Sequence, residues 1–399
     1  MVEEQSKLSK VQVLGMAVVA GICVSNIYYA QPILHQIAET FNVSESKMGI
    51  MVGLGQVGYG AGLLTLVPLG DKVNRKKLIL ILLGILFCIL MAIGLVSNYY
   101  FIFLFSLLLG LTAVAAQVIL PMAAELSGNE KGKNVGIIFT GILVGILMAR
   151  VFSGYISEWS NWKMVYYISA GFTIFSLAFV YFKLPSIKPT FKESYFKLIS
   201  SSFYQLKRFP ELRLLALMGG IAFSIFCSFW TTLTFLLVEK PYNYSSDTIG
   251  LFGMLGIAGA LVAPMIGKAS DKGGSGKTQL IASIILLAGS VIIFLFPSYL
   301  ISIILAVIFI DVGVQSIQVT NVALIYRLDQ KANSRINTIY MTSYFAGGAI
   351  GTFIGLKCWE LGGWHYVGLQ LVVFSIFVFL MNLFKTFKFN KNHYKKHSL

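Results

Sequence analysis

The chain has 399 residues, 57% of them hydrophobic and only 12% charged, about half the charged share of a soluble globular domain. A water-soluble fold this apolar could not cover its own surface, so most of the surface must face lipid. The net charge of +15 would suit a nucleic-acid binder, but the basic residues sit in short clusters between apolar runs, which argues against nucleic acid and for loops on one side of a membrane.

A spanning helix needs roughly 20 mostly apolar residues. After a polar tail at 1–10, runs of that kind fall at 12–34, 47–69, 78–97, 101–124, 135–157 and 162–184. The first has no small-residue cleavage site and is followed at once by the next, so it reads as a retained span rather than a signal peptide. Polar side chains interrupt these runs: Asn26, Tyr29 and Gln31 in the first, Gln56 and Tyr59 in the second, Gln117 in the fourth. The fifth carries Arg150, the one lysine or arginine deep inside a run rather than at its edge. Between spans two and three lies PLGDKVNRKK, with Asp71, Lys72 and Arg75.

Residues 185–211 form a polar connector containing FKESYFKLISSSFYQLKRF, with aromatic and aliphatic residues at helical spacing and Lys192, Lys197, Lys207 and Arg208 between them. This predicts an interfacial amphipathic helix within the linker. Six more runs follow at 212–238, 247–267, 278–297, 300–325, 335–357 and 363–384. The expected organisation is therefore an N-terminal bundle at 1–184, the linker, and a C-terminal bundle with a basic tail at 212–399. Span seven carries Phe226 and Trp230; span ten carries Asp311, Gln315 and Gln318 at i, i+4 and i+7, a stripe that must face protein or water. GGSGKT at 273–278 resembles the end of a phosphate-binding loop but lacks its first glycine and a preceding strand, so ATP coupling is not expected. The four cysteines lie singly and the four histidines do not cluster, so no metal site is expected.

Orientation follows from the cations. With the N-terminus inside, all but five of the 31 lysines and arginines fall in inward segments; the exceptions are Lys47, Lys163, Lys240, Lys357 and the intraspan Arg150. Both termini are therefore expected in the cytoplasm.

The halves repeat. Asp71 follows span two and Asp271, in GKASDKGGSGK, follows span eight; Gly141, Gly145 and Gly154 of span five answer to Gly347, Gly351 and Gly355 of span eleven. Parallel repeats of six spans are a transporter architecture with the substrate site between the halves. On these residues the chain resembles the major facilitator superfamily, its loop signature kept as Asp71, Lys72, Arg75 and Lys76 in the first copy and as Gly267, Asp271, Lys272 and Gly274 in the second. The stretches NIYYAQPIL, GQVGYGAGLL and VGILMARVFSG resemble the bacterial arabinose-efflux and drug:proton antiporter-like branch. Two departures stand out: Ser106 replaces the arginine usual in span four, and Ile146 with Ala149–Arg150 replaces the proline and glycine pair of span five.

The resemblance implies an all-α membrane protein of twelve transmembrane helices in two pseudo-symmetric six-helix bundles, a non-enzyme working as a monomer in the cell membrane. It implies a secondary active transporter, a proton-coupled exporter of small amphipathic organic molecules that uses the proton gradient and no cofactor; an importer or uniporter of the same fold is the alternative. Asn26, Tyr29, Gln56, Gln117, Phe226, Trp230, Gln315 and Gln318 become cavity-lining candidates, with helix–helix bonding the alternative for each. Asp71, Lys72, Arg75, Asp271 and Lys272 become a cytoplasmic gate. Asp311 is expected to carry the proton and Arg150 to tune it, a fixed buried contact being the alternative for both.

Overall fold

The computed structural model describes residues 8–186, 194–269, 275–329 and 332–396, and every regular element among them is helical. The first six long helices are α1 (Lys10–Tyr28), α2 (Ala30–Thr40), α3 (Glu45–Lys72), α4 (Arg75–Leu95), α5 (Tyr99–Ala113) and α6 (Ala115–Leu126). Next come α7 (Lys131–Trp159), α8 (Trp162–Lys183) and a connector helix, α9 (Tyr195–Arg208). The remainder are α10 (Pro210–Val238), α11 (Ser246–Leu255), α12 (Ile257–Ala269), α13 (Ser275–Leu295), α14 (Leu300–Ile325) and α15 (Asn333–Lys396).

Ten stretches among the described residues are long and apolar enough to cross a membrane. The last of them, Asn333–Lys385, holds two crossings, because Gly362 and Gly363 leave helical geometry inside α15. Gly363 has φ +57°, a left-handed conformation open to glycine at little cost. Helices α11 and α12, separated by one residue, supply a further crossing. The architecture is thus an all-α membrane protein with twelve crossings, six in each half of the sequence. Three crossings that read as single runs are broken: α1 from α2 at Tyr29, α5 from α6 at Val114, and α11 from α12 at Gly256. The first break has a plain cause, since Pro32 cannot donate to the carbonyl of Tyr28 and its ring crowds that carbonyl.

Short polar residues between the apolar runs set where helices begin. Ser9 and Gln12 form a reciprocal capping box on α1. Ser44, Asn74, Asn98 and Asn161 accept from first-turn amides of α3, α4, α5 and α8, satisfying donors that would otherwise be orphaned. Pro210 opens α10, where its missing N–H costs nothing.

By packing, the chain divides into Met1–Ser201 with Tyr244–Met254, here unit 1, and Ser202–Asn243 with Leu255–Leu399, here unit 2. In unit 1, α7 lies against α1 so closely that a Cβ on Gly141 would strike the Ala17 carbonyl and one on Gly145 the Gly21 carbonyl. In unit 2, the first part of α15 lies against α10 in the same manner, Gly347 on the Gly220 carbonyl and Gly351 on Ser224. With no hydrophobic drive between helices in lipid, such backbone approach is what holds pairs together. The glycine spacing shared by spans five and eleven therefore has one physical role in both halves.

Candidate functional site

Three polar clusters are built on this frame. The first sits where α3 gives way to α4. Asp71 occupies the last turn of α3 and Arg75 the first turn of α4, and the Arg75 guanidinium donates to Asp71 Oδ1 at 2.8 Å. The other arm of Arg75 is ion-paired with Glu125 at the end of α6 and donates to the Pro121 carbonyl at 3.4 Å. One cation thus ties three helix ends through two carboxylates, a planar fork suited to that task. Lys72 lies half-buried next to Asp71. Glu125 was not singled out in the sequence; an acid closing the fourth run, AAEL, was the available signal. Asp271 and Lys272, the second copy of the signature, lie outside the described residues.

The second cluster lies within unit 1. Arg150 of α7 is 2% exposed. Its Nε donates to Gln31 Oε1 of α2 at 2.8 Å, and the guanidinium lies 5.3 Å from the Tyr28 ring centroid. The glycines of α11 make room for it: a Cβ on Gly253 would come 2.9 Å from Arg150 Cβ and 3.1 Å from its Cδ. The bulk that replaces the motif glycine of span five is thus matched by a missing side chain on the helix it faces. About two turns further along α7, Glu158 Oε1 accepts from Gln36 of α2 at 2.8 Å and from the Ser246 amide of α11 at 2.9 Å. Asn26 bonds across to α8, accepting from Ser169 Oγ at 2.9 Å, and donates to the Ile22 carbonyl. Gln117 donates to Tyr59 Oη at 3.1 Å, joining α6 to α3, and Gln56 is buried on α3. Tyr29 lines an apolar groove of 550 Å³ between α1 and α7, with Gly21, Ser25, Gly141, Met148 and Phe152 among its walls.

The third cluster lies within unit 2. Asp311 of α14 is 4% exposed, and Trp230 Nε1 of α10 donates to its Oδ1 at 3.3 Å. Helix α12 abuts this spot, for a Cβ on Gly259 would lie 3.2 Å from both the Asp311 carbonyl and Gln315 Cγ. Trp230 continues an aromatic series along α10. Phe226 lies 6.3 Å from it, Phe223 stacks on Phe226 at 5.6 Å, and Tyr344 of α15 stacks on Phe223 at 4.1 Å. The series ends where Tyr344 Oη donates to Gln318 of α14 at 3.3 Å. Four of the sequence candidates, Phe226, Trp230, Asp311 and Gln318, are therefore linked through Phe223 and Tyr344. Tyr344, 26 residues from Gln318 in the chain, is the member that no sequence pattern marked. A row of π faces flanked by one carboxylate and one amide offers apolar contact with a few fixed polar groups, the usual make-up of a small-molecule site.

The sequence matches the Major Facilitator Superfamily over residues 14–352. The chain belongs to that superfamily. It is 36% identical to the uncharacterized transporter YgaY of Escherichia coli O157:H7 over 365 residues, 91% of this chain and 93% of that protein. Among solved structures, a nucleoside transporter, NupG, superposes with a TM-score of 0.77 at 13% identity, covering 93% of this chain and 98% of the other. A bacterial homologue of the human lysosomal transporter Spinster, in an inward-facing unoccupied form, gives 0.73 at 15% identity over 93% and 95%. At those identities the structures speak for the fold alone. Family and relatives make this superfamily member a multi-pass membrane transporter and not an enzyme.

Proposed function

We propose that this transporter is a proton-coupled exporter of small amphipathic organic molecules, of the arabinose-efflux and drug-antiporter-like branch, working as a monomer in the bacterial inner membrane with both termini in the cytoplasm. The observation that carries the reading is the buried carboxyl of Asp311, set on a spanning helix beside the Trp230–Phe226–Phe223–Tyr344 series. An ionisable group at membrane depth is costly to bury, which makes one held there a candidate for function. A carboxyl that meets the cavity can take a proton from one side and release it to the other as the two halves alternate access. The aromatic faces would hold the apolar body of the substrate, and Gln318 and Gln315 would orient its polar end. No resident cofactor enters this scheme; the gradient of protons supplies the work.

The test is transport in proteoliposomes. A thermal-shift screen of the purified protein first finds a compound that binds. That compound is then followed in vesicles with an imposed pH gradient. Wild-type protein is expected to concentrate it, while Asp311→Asn still exchanges it but no longer concentrates it. Concentrative transport by Asp311→Asn would remove this carboxyl from coupling and leave a fixed Trp230–Asp311 contact. Downhill movement insensitive to pH in the wild type would favour a uniporter.

A further inference from the structure

Helix α9 has 14 residues, about 21 Å at 1.5 Å per residue, too short to cross a bilayer. Its sequence, YFKLISSSFYQLKR, contains three cations and no carboxylate. The buried positions are Leu198, Ser202 and Gln205, spaced as one helical face. Positions 196, 197, 200, 203, 204, 207 and 208 form the opposite face, and all are exposed. That outer face does not have the usual polar make-up of a water-facing helix. It carries Phe196, 80% exposed, Tyr204, 60% exposed, and Phe203, 47% exposed, interleaved with Lys197, Lys207 and Arg208. The ends of the helix are fixed. Tyr195 Oη donates to the Thr65 carbonyl at 2.5 Å in unit 1, and Arg208 pairs with Asp329 at 2.6 Å in unit 2.

We propose that this outer face of α9 is a docking surface for anionic phospholipid headgroups. Aromatic rings beside lysines match the chemistry of the bilayer interface, where the ring enters the acyl boundary and the ammonium meets phosphate. A helix of this kind leaves rings in water if nothing covers it, and the exposed lysines on the ring-bearing face favour a negatively charged cover, Arg208 being already paired with Asp329. Aromatic residues alone would fit a neutral bilayer; the cations specify an anionic one. Because α9 joins the two units, its hold on the lipid surface makes the connector between them sensitive to lipid charge. The inference does not depend on the substrate or on proton coupling.

The experiment uses the full chain. Cys88 is exposed and Cys358 partly so, so both are replaced by serine. Ser200, exposed in the centre of the outer face, is replaced as Ser200→Cys and labelled with an environment-sensitive fluorophore. The protein is placed in nanodiscs of phosphatidylcholine alone or of phosphatidylcholine with phosphatidylglycerol. The expected result is blue-shifted emission and protection from acrylamide only with phosphatidylglycerol, reversed by salt. Lys197→Gln and Lys207→Gln should each weaken the partitioning by about fivefold. Equal quenching in both lipids would overturn the proposal. So would equal protection in detergent, which would mean that protein covers the face, whether another part of this chain or a second copy.

Discussion

Units 1 and 2 use the same scaffold and different polar chemistry. The α1–α7 pair of unit 1 and the α10–α15 pair of unit 2 both close on glycines four residues apart, at Gly141 and Gly145 and at Gly347 and Gly351. On that common frame unit 1 buries a cation, Arg150, against Gln31 and Tyr28, while unit 2 buries a carboxyl, Asp311, against Trp230 and an aromatic series. The lesson is that repetition marks what the fold needs and divergence marks where chemistry is placed. The shared glycines are answerable to packing, so they tolerate no exchange in either half. The diverged polar residues are expected to serve different ends, Arg150 the packing of unit 1 and Asp311 transport, so their replacement should separate stability from transport.

The largest effect should come from breaking the shared frame. Gly145→Leu and Gly351→Leu each place a branched side chain where Gly21 and Ser224 leave no room for a Cβ. Overpacking costs roughly 1–3 kcal/mol and occasionally more, and here two helix backbones would have to part. Both variants are expected to lose the monodisperse peak in size-exclusion chromatography. If only one does, the two pairs are not equivalent and the symmetry of the scaffold is weaker than its geometry suggests.

The diverged residues come next. Arg150→Gln removes the donor to Gln31 and the cation over Tyr28, and hydrogen bonds to charged groups contribute about 1.5–3 kcal/mol. The expected outcome is a lower melting temperature in unit 1, with concentrative transport retained at temperatures where the protein is folded. Arg150→Lys should not rescue stability fully, since an ammonium cannot reproduce the fork and ring contact of a guanidinium. Asp311→Asn is expected to behave in the opposite way, folded but uncoupled. Loss of concentrative transport in well-folded Arg150→Gln would give Arg150 a share in coupling and erase the contrast.

A smaller effect on stability is expected at Asp71. Arg75 holds both Asp71 and Glu125, and the two carboxylates are partly exposed, so removing one should cost no more than about 1 kcal/mol. Transport is a different matter. A helix-end pair that opened in one state and closed in the other would bias the balance between them. Asp71→Asn should therefore purify and melt like the wild type yet turn over slowly, and Glu125→Gln should do the same through the shared arginine. Unchanged transport in both variants would reduce the cluster to a helix-end contact.

The fold was legible because lipid imposes simple rules. Apolar runs of spanning length and the clustering of cations between them are local signals. The glycine spacing marked spans five and eleven as corresponding elements, though not the helices they would pack against. The polar clusters were harder to read, since a bond between helices has no local signature. Asn26 and Gln117 were cavity candidates by residue type and by span, with helix–helix bonding the alternative, and the bonds they make to Ser169 and Tyr59 tie helices together. Glu125, Glu158 and Tyr344 went unmarked because their partners lie 50, 88 and 26 residues away. Their placement depends on how helices pair, which composition and period do not encode. The breaks at Val114 and Gly256 were hidden for a similar reason: hydropathy averages over a kink.

The smallest effect sharpens the comparison most, because one substitution can be made in both units. Tyr59 accepts from Gln117 at 3.1 Å in unit 1, and Tyr344 donates to Gln318 at 3.3 Å in unit 2. Tyrosine-to-phenylalanine exchange removes the hydroxyl and keeps the ring, so the packing stays. Interhelical hydrogen bonds in membranes contribute about 0.6 kcal/mol on average, with a maximum near 1.7, and the two exchanges should lower thermal stability by similar small amounts. They should differ in transport. Tyr59 of α3 is buried and its hydroxyl meets Gln117 of α6, away from the aromatic series of unit 2, so its loss should leave apparent substrate affinity unchanged. Tyr344 stacks on Phe223 in the series beside Asp311, so its hydroxyl fixes both a ring face and the Gln318 amide. Tyr344→Phe should raise the apparent KM several-fold, about the threefold that 0.6 kcal/mol represents, with little change in maximal rate. A KM that moves equally in Tyr59→Phe, or in neither variant, would place substrate recognition elsewhere than on the aromatic row of unit 2.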